Sequence, residues 1–145
     1  MNENNELLLY IYKNADMGVK STTKLIKLLN NSDNKIKNIV EGQLKGYENF
    51  LKKSKTLLKK NKIEAKSNNL LTEITASITM NMEFMKDNSD AKIADILIRG
   101  FTIGNIEIDK KIDKFKDDAD KSILKLAKDL KKFGEANIEL LKPYL

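Results

Sequence analysis

Residues Ala91–Phe115 read AKIADILIRGFTIGNIEIDKKIDKF, and the period of this stretch decides the fold class. At 3.6 residues per turn, Ile93, Leu97, Gly100, Gly104, Ile108 and Phe115 fall on one stripe, an amphipathic helical pattern rather than the alternation of a strand. The stripe carries two glycines, and glycine inside a helix costs about 0.5–1 kcal/mol against alanine. Glu107 lies beside it, where an unpaired buried carboxylate would cost more. The pattern predicts either a neighbouring helix brought very close at Gly100 and Gly104 or room kept between helices, and close packing is the expectation.

The same period extends in both directions. A first helix is expected over about Glu3 to Asn30, with Leu7, Leu8, Ile11, Ala15, Gly18, Val19, Leu25, Ile26 and Leu29 inward. Ser32 or Asp33 offers an N-cap for a second helix reaching about Asn61, which buries Ile36, Ile39, Val40, Leu44, Tyr47, Phe50, Leu51, Leu57 and Leu58. A third, about Ser67 to Lys86, would bury Leu70, Leu71, Ile74, Ile78, Phe84 and Met85. Asn88-Ser89-Asp90 then opens the fourth helix, the quoted stretch.

No Gly or Pro marks the end of that helix, yet one rod from Ser89 to Lys142 would be about 80 Å long at 1.5 Å per residue. A turn is therefore expected at Lys116–Asp118. It leads into a fifth helix that buries Ile123, Leu126, Ala127, Leu130, Phe133, Leu140 and Leu141 and stops at Pro143. The expected fold is all-α, an antiparallel helical bundle of about five helices, with residues 1–145 forming one domain.

Bulk composition narrows the function classes. A chain of 145 residues buries roughly 68–70% of its unfolded surface, enough for a substantial core. The sequence has no cysteine, which excludes disulfides and thiolate chemistry and fits a cytoplasmic setting. The longest apolar runs fall well short of the ~18 residues of a membrane span, and no signal peptide is expected from the opening MNENNELLLYIYK. The formal charge of +6 comes from 27 Lys and Arg against 21 Asp and Glu, but Arg99 is the one arginine. Nucleic-acid sites favour arginine for bidentate contacts, so this lysine-rich balance reads as a solvated exterior.

The residues expected to point inward among the helices are mostly neutral: Asn14, Ser21, Thr22, Gln43, Ser54, Ser77, Asn81 and Asn137, with Glu107 and Lys111 on the quoted stretch. Such a set suits a polar layer of hydrogen bonds that fixes helix register. It does not suit a di-metal carboxylate centre, which takes Glu-x-x-His from two helices; the chain has no histidine. No catalytic residue and no cofactor are expected, and no metal site beyond a weak carboxylate candidate at Glu107. The plainer reading of Glu107 is an i,i+4 pair with Lys111 at the core edge. Asp95 and Arg99 read as a surface ion pair and Lys52–Lys66 as a solvated helix end. The cluster of Met80, Met82, Met85 and Phe84 reads as core filler.

Three segments carry a resemblance: Ile96-Leu97-Ile98-Arg99-Gly100 with Ile103-Gly104 and Glu107, Asn14-Ala-Asp-Met-Gly18, and the closing run Ala136 to Leu145. In these the chain resembles ferritin-like helical bundles, particularly an uncharacterised bacterial branch of proteins of this size. The resemblance implies two antiparallel pairs, first with second and fourth with fifth, and the third helix as a long crossover. Metal-carrying members hold histidines that this chain lacks, so it implies no ferroxidase-type activity and transfers no site residue.

The expected function is that of a non-enzymatic bundle acting through protein association, with a protein partner or a second copy of the chain in a homodimer. Two alternatives stand beside it. One is a small-molecule or lipid-binding bundle with a pocket opened by Gly18, Gly100 and Gly104; the other is a degenerate metal-binding relative centred on Glu107.

Overall fold

The computed structural model describes residues 3–64 and 87–145. Four α-helices are present in it: α1 (Glu3–Leu28), α2 (Lys37–Lys60), α3 (Asp90–Phe115) and α4 (Lys121–Leu141), with a short 3-10 turn over Lys142–Tyr144. The expected third helix, with its methionine cluster and the inward Ser77 and Asn81, lies outside the described residues. The turn expected at Lys116–Asp118 is present, and α3 ends at Phe115 as the length argument required.

The helices pair as α1 with α2 and α3 with α4, and α4 also lies against both α1 and α2. Buried side chains form two clusters, one at each end of the bundle. Leu7, Leu8 and Ile11 of α1 meet Phe50 and Leu58 of α2, Ile108 and Phe115 of α3, and Ile123, Leu126 and Leu130 of α4. At the other end Leu25 and Leu29 meet Ile36 and Val40, Ile93, Ala94 and Phe101, and Leu141. Hence α1 and α4 run one way while α2 and α3 run the other. The chain leaves α2 at one end of the bundle and enters α3 at the opposite end.

On α3 the buried positions Ala94, Phe101, Ile108 and Phe115 follow one another at steps of seven, with Ile93 beside them. Heptad spacing keeps a seam facing its partners along a packed helix, and Gly100 and Gly104 fall on the flank of that seam. On α4 the inward residue near the C-terminus is Leu141 and not Leu140, which is half exposed.

Each end of the bundle is tied by a side chain of one hairpin that accepts from the turn of the other. The Asp90 carboxylate takes hydrogen bonds from Asn34 Nδ2 at 2.9 Å, Lys35 N–H at 3.0 Å and Ile36 N–H at 3.3 Å. At the far end Asn4 Oδ1 accepts from the Asp120 N–H at 2.7 Å. The expected cap from Ser32 or Asp33 is thus corrected. α2 begins later, at Lys37, and the Lys35 and Ile36 amides that lead into it are met by Asp90 from across the interface. Ser32 instead donates back to the Leu29 carbonyl at 2.9 Å, closing α1. Ser89 caps α3, accepting from the Lys92 N–H at 3.3 Å.

Partial burial pushes the Asp90 carboxyl upward. The bonds from Asn34, Lys35 and Ile36 outweigh that push and hold it below its ordinary value. A carboxyl with a depressed folded pKa contributes stability that is whole above its unfolded pKa and is lost as pH falls through the folded one. Asp90→Ala is expected to cost about 1–2 kcal/mol at neutral pH, the range for a lost helix cap. In denaturant titrations between pH 6 and pH 3, the wild type should lose its margin over Asp90→Asn as the pH falls. A margin that does not change with pH would contradict the tie.

Candidate functional site

Between the two apolar clusters the bundle has an aromatic waist. Phe133 of α4 stands edge-on to Tyr47 at 5.1 Å and to Phe101 at 6.0 Å, and tilted to Phe50 at 5.4 Å. Tyr47 stacks parallel to Phe101 at 6.2 Å. Edge-to-face and offset geometries suit the quadrupoles of these rings. Burial raises the Tyr47 phenol above its ordinary pKa.

Glycines make room for this waist, and of the three the sequence singled out only Gly18 is among them. A Cβ at Gly18 would collide with the Tyr47 ring, one at Gly46 with the Phe133 ring, and one at Gly134 with the Asn105 side chain. At Gly100 and Gly104 a Cβ would meet nothing within 4 Å. The close approach expected there is overturned. α1 and α3 touch only sparsely, and these two glycines form part of the wall of an open cleft between them.

The cleft has a volume of about 780 Å³. Its lining runs along α1 from Tyr10 to Leu28 and along α3 from Ile93 to Ile108, with Gln43 and Tyr47 of α2 and Phe133 and Gly134 of α4 behind. The eighteen steps from Tyr10 to Leu28 correspond to a length of about 27 Å at 1.5 Å per residue. The two ends differ. Tyr10, Lys13 and Asn14 face Asn105 and Glu107 at one end, while Leu25 and Leu28 face Ile93, Ile96 and Leu97 at the other. Leu28 and Ile103, which is 64% exposed, form an apolar rim.

Glu107 sits at the polar end and is exposed. Its ion partner is Lys110 at 3.7 Å and not the expected Lys111, whose ammonium lies 5.0 Å from the centre of the Tyr10 ring. Burial raises the Tyr10 phenol above its ordinary value, its hydrogen bond with Asn14 pulls it back, and the Glu107 carboxylate raises it further. Among the described residues no three acidic side chains gather in a way that could hold a metal ion. Asp95 and Arg99 form the expected surface pair at 3.1 Å. The lysines of the described part of Lys52–Lys66 are exposed.

Of the residues expected to point inward, Thr22, Gln43, Ser54 and Asn137 are buried. They form no layer between helices. Thr22 donates to the Gly18 carbonyl, Ser54 to the Leu51 carbonyl at 3.0 Å, and Asn137 Nδ2 to the Phe133 carbonyl at 2.8 Å, each within its own helix. A carbonyl one turn back is always within reach of such a side chain, which lets it serve locally instead of across an interface. Gln43 differs: it is 1% exposed, and neither its Nε2 nor its Oε1 has a hydrogen-bond partner.

The alternative of a pocket at Gly18, Gly100 and Gly104 named three residues that line the cleft, but the sequence left its apolar walls unassigned. The signal was present in α3, whose Ile96 and Ile103 add apolar surface beyond the one stripe and line the cleft.

The glycines give a direct check. Gly46→Ala should cost about 1–3 kcal/mol, as overpacking against a held ring does. Gly104→Ala should stabilise by about 0.5–1 kcal/mol, because the new methyl meets open space and the helix gains propensity. Denaturant midpoints of the two variants would distinguish them, and destabilisation by Gly104→Ala would mean that the cleft is closed. No helix among the described residues is long and apolar enough to cross a membrane. No family model, no curated protein and no solved structure matches this chain.

Proposed function

We propose that the protein is a non-enzymatic, ligand-binding helical bundle of ferritin-like architecture whose α1–α3 cleft holds an elongated, mainly apolar small molecule or lipid. The observation that carries this reading is the cleft itself. Its volume of about 780 Å³ falls within the roughly 300–1,000 Å³ of small-molecule sites, which combine apolar walls with a few polar groups. Favouring the architecture are the two antiparallel pairs and the crossing of the chain from one end of the bundle to the other between α2 and α3. A binding role also suits a cleft whose titratable groups are Tyr10, Lys13, Tyr47, Arg99 and Glu107, with no nucleophile and base paired among them.

Association with a protein partner or a second copy is a second reading, favoured by the exposed apolar side chains of Ile103 and Ile106 on α3. The two readings separate in solution. A neutral fluorescent apolar probe, N-phenyl-1-naphthylamine, should bind the full-length protein saturably with one site per chain. Gly104→Leu, which fills open space on the cleft wall, should weaken it at least about tenfold, or 1.4 kcal/mol, without loss of helical signal. Concentration-dependent dimerisation with no saturable probe site would favour association instead.

A further inference from the structure

We infer that the ligand of the cleft presents to Gln43 a neutral head with one donor beside one acceptor, a carboxamide or an undissociated carboxylic acid. The inference rests on the ligand-binding reading and names the polar chemistry of that same site.

Its starting point is an unmet requirement. A buried side-chain amide has two donors on nitrogen and an acceptor oxygen, and buried groups of this kind are almost always satisfied. Thr22, Ser54 and Asn137, the other buried polar side chains of the described residues, each find a carbonyl on their own helix. Gln43 is as deeply buried and has no partner at either atom, although it lines the cleft. Both atoms are unpaired, so the conclusion does not depend on which way the amide is turned.

The surroundings select the head. Lys13 and Glu107 belong to the polar end of the cleft, and Arg99 is engaged by Asp95 at 3.1 Å with its own side chain 76% exposed. Gln43 itself belongs to the opposite half, one turn from Val40 of the second apolar cluster. A carboxylate placed against it would be a buried charge without a cation, which is strongly disfavoured. A lone acceptor would leave the amide oxygen unmet, and a lone donor would leave the amide nitrogen unmet. A carboxamide or a protonated carboxyl group answers both in a paired arrangement. Its hydrocarbon then extends along Leu25, Leu28, Ile96 and Leu97.

The test is displacement of N-phenyl-1-naphthylamine from the full-length protein by three probes of equal chain length: decanamide, decanoic acid and methyl decanoate, an acceptor without a donor. Decanamide should displace at least about tenfold more tightly than the ester, the scale of one well-placed hydrogen bond. Decanoic acid should approach decanamide as the pH is lowered through the acid's own pKa, whereas the amide's displacement stays constant with pH. In Gln43→Leu the amide-to-ester ratio should collapse towards one. The ligand-free variant should melt at a higher temperature than wild type, because an unmet buried amide has been removed. Equal displacement by amide and ester in wild type overturns the inference and leaves the binding reading standing. Absence of saturable displacement by any probe overturns both. A lower melting temperature for Gln43→Leu, or a ligand-free crystal structure in which residues 65–86 bond to the Gln43 amide, also overturns the inference.

Discussion

The two hairpins of this bundle are held in register by one ring. Phe133 of α4 touches Tyr47 and Phe50 of α2 and Phe101 of α3, so it bridges both antiparallel pairs at mid-height. Its position depends on Gly46, since any side chain there would occupy the volume of the ring. Gly18 plays the same part for Tyr47 on the α1 side. Interiors pack at crystal-like density, so a fixed obstacle at the waist limits how the helices can slide or tilt about it. The two apolar clusters then close the ends independently.

The open cleft is a consequence of this arrangement. α4 is packed against both α1 and α2, and the waist draws α3 towards α4 and α2 through Phe101. The side of α3 that faces α1 carries Gly100 and Gly104, which fill no space between the two helices. Polar ties at the ends hold the hairpins without filling the middle: Asp90 reaches the α1–α2 turn, and Asn4 reaches the α3–α4 turn. Charge pairs contribute at the rim, where Lys131 meets Asp109 at 2.8 Å and Lys114 meets Glu6 at 3.7 Å. Exposed pairs of this kind are each worth about 0–1 kcal/mol, so the ring contacts and apolar clusters dominate.

A cleft of this sort makes a buried amide meaningful. In a closed bundle Gln43 would be an error in an otherwise well-satisfied interior, and an apolar residue would serve better. On the wall of a cleft its unmet amide is the group to which the proposed ligand head would bond. Tyr47, one turn away on the same helix and also lining the cleft, joins that wall to the aromatic waist.

Much of the fold was legible in the chain. The 3.6-residue period, the punctuation at Asn88-Ser89-Asp90 and the length argument for a turn at Lys116–Asp118 are local properties, and each survives in α3 and α4. The buried polar set of Thr22, Gln43, Ser54 and Asn137 was legible too, because angular position on a helix follows from spacing alone. What each does with its hydrogen-bonding groups was not, nor was the role of Gly100 and Gly104. A glycine on an inward flank is compatible with the tightest contact in a bundle and with the widest gap, and the sequence is the same in both cases. Helix tilt decides between them, and tilt depends on where Phe133 and Tyr47 come to rest against Gly46 and Gly18. The amino-acid order by itself determined the four described helices and most of their inward faces. The cleft, the cross-hairpin cap from Asp90 and the unmet amide of Gln43 were decided only by tertiary packing, because each arises between residues far apart in the chain.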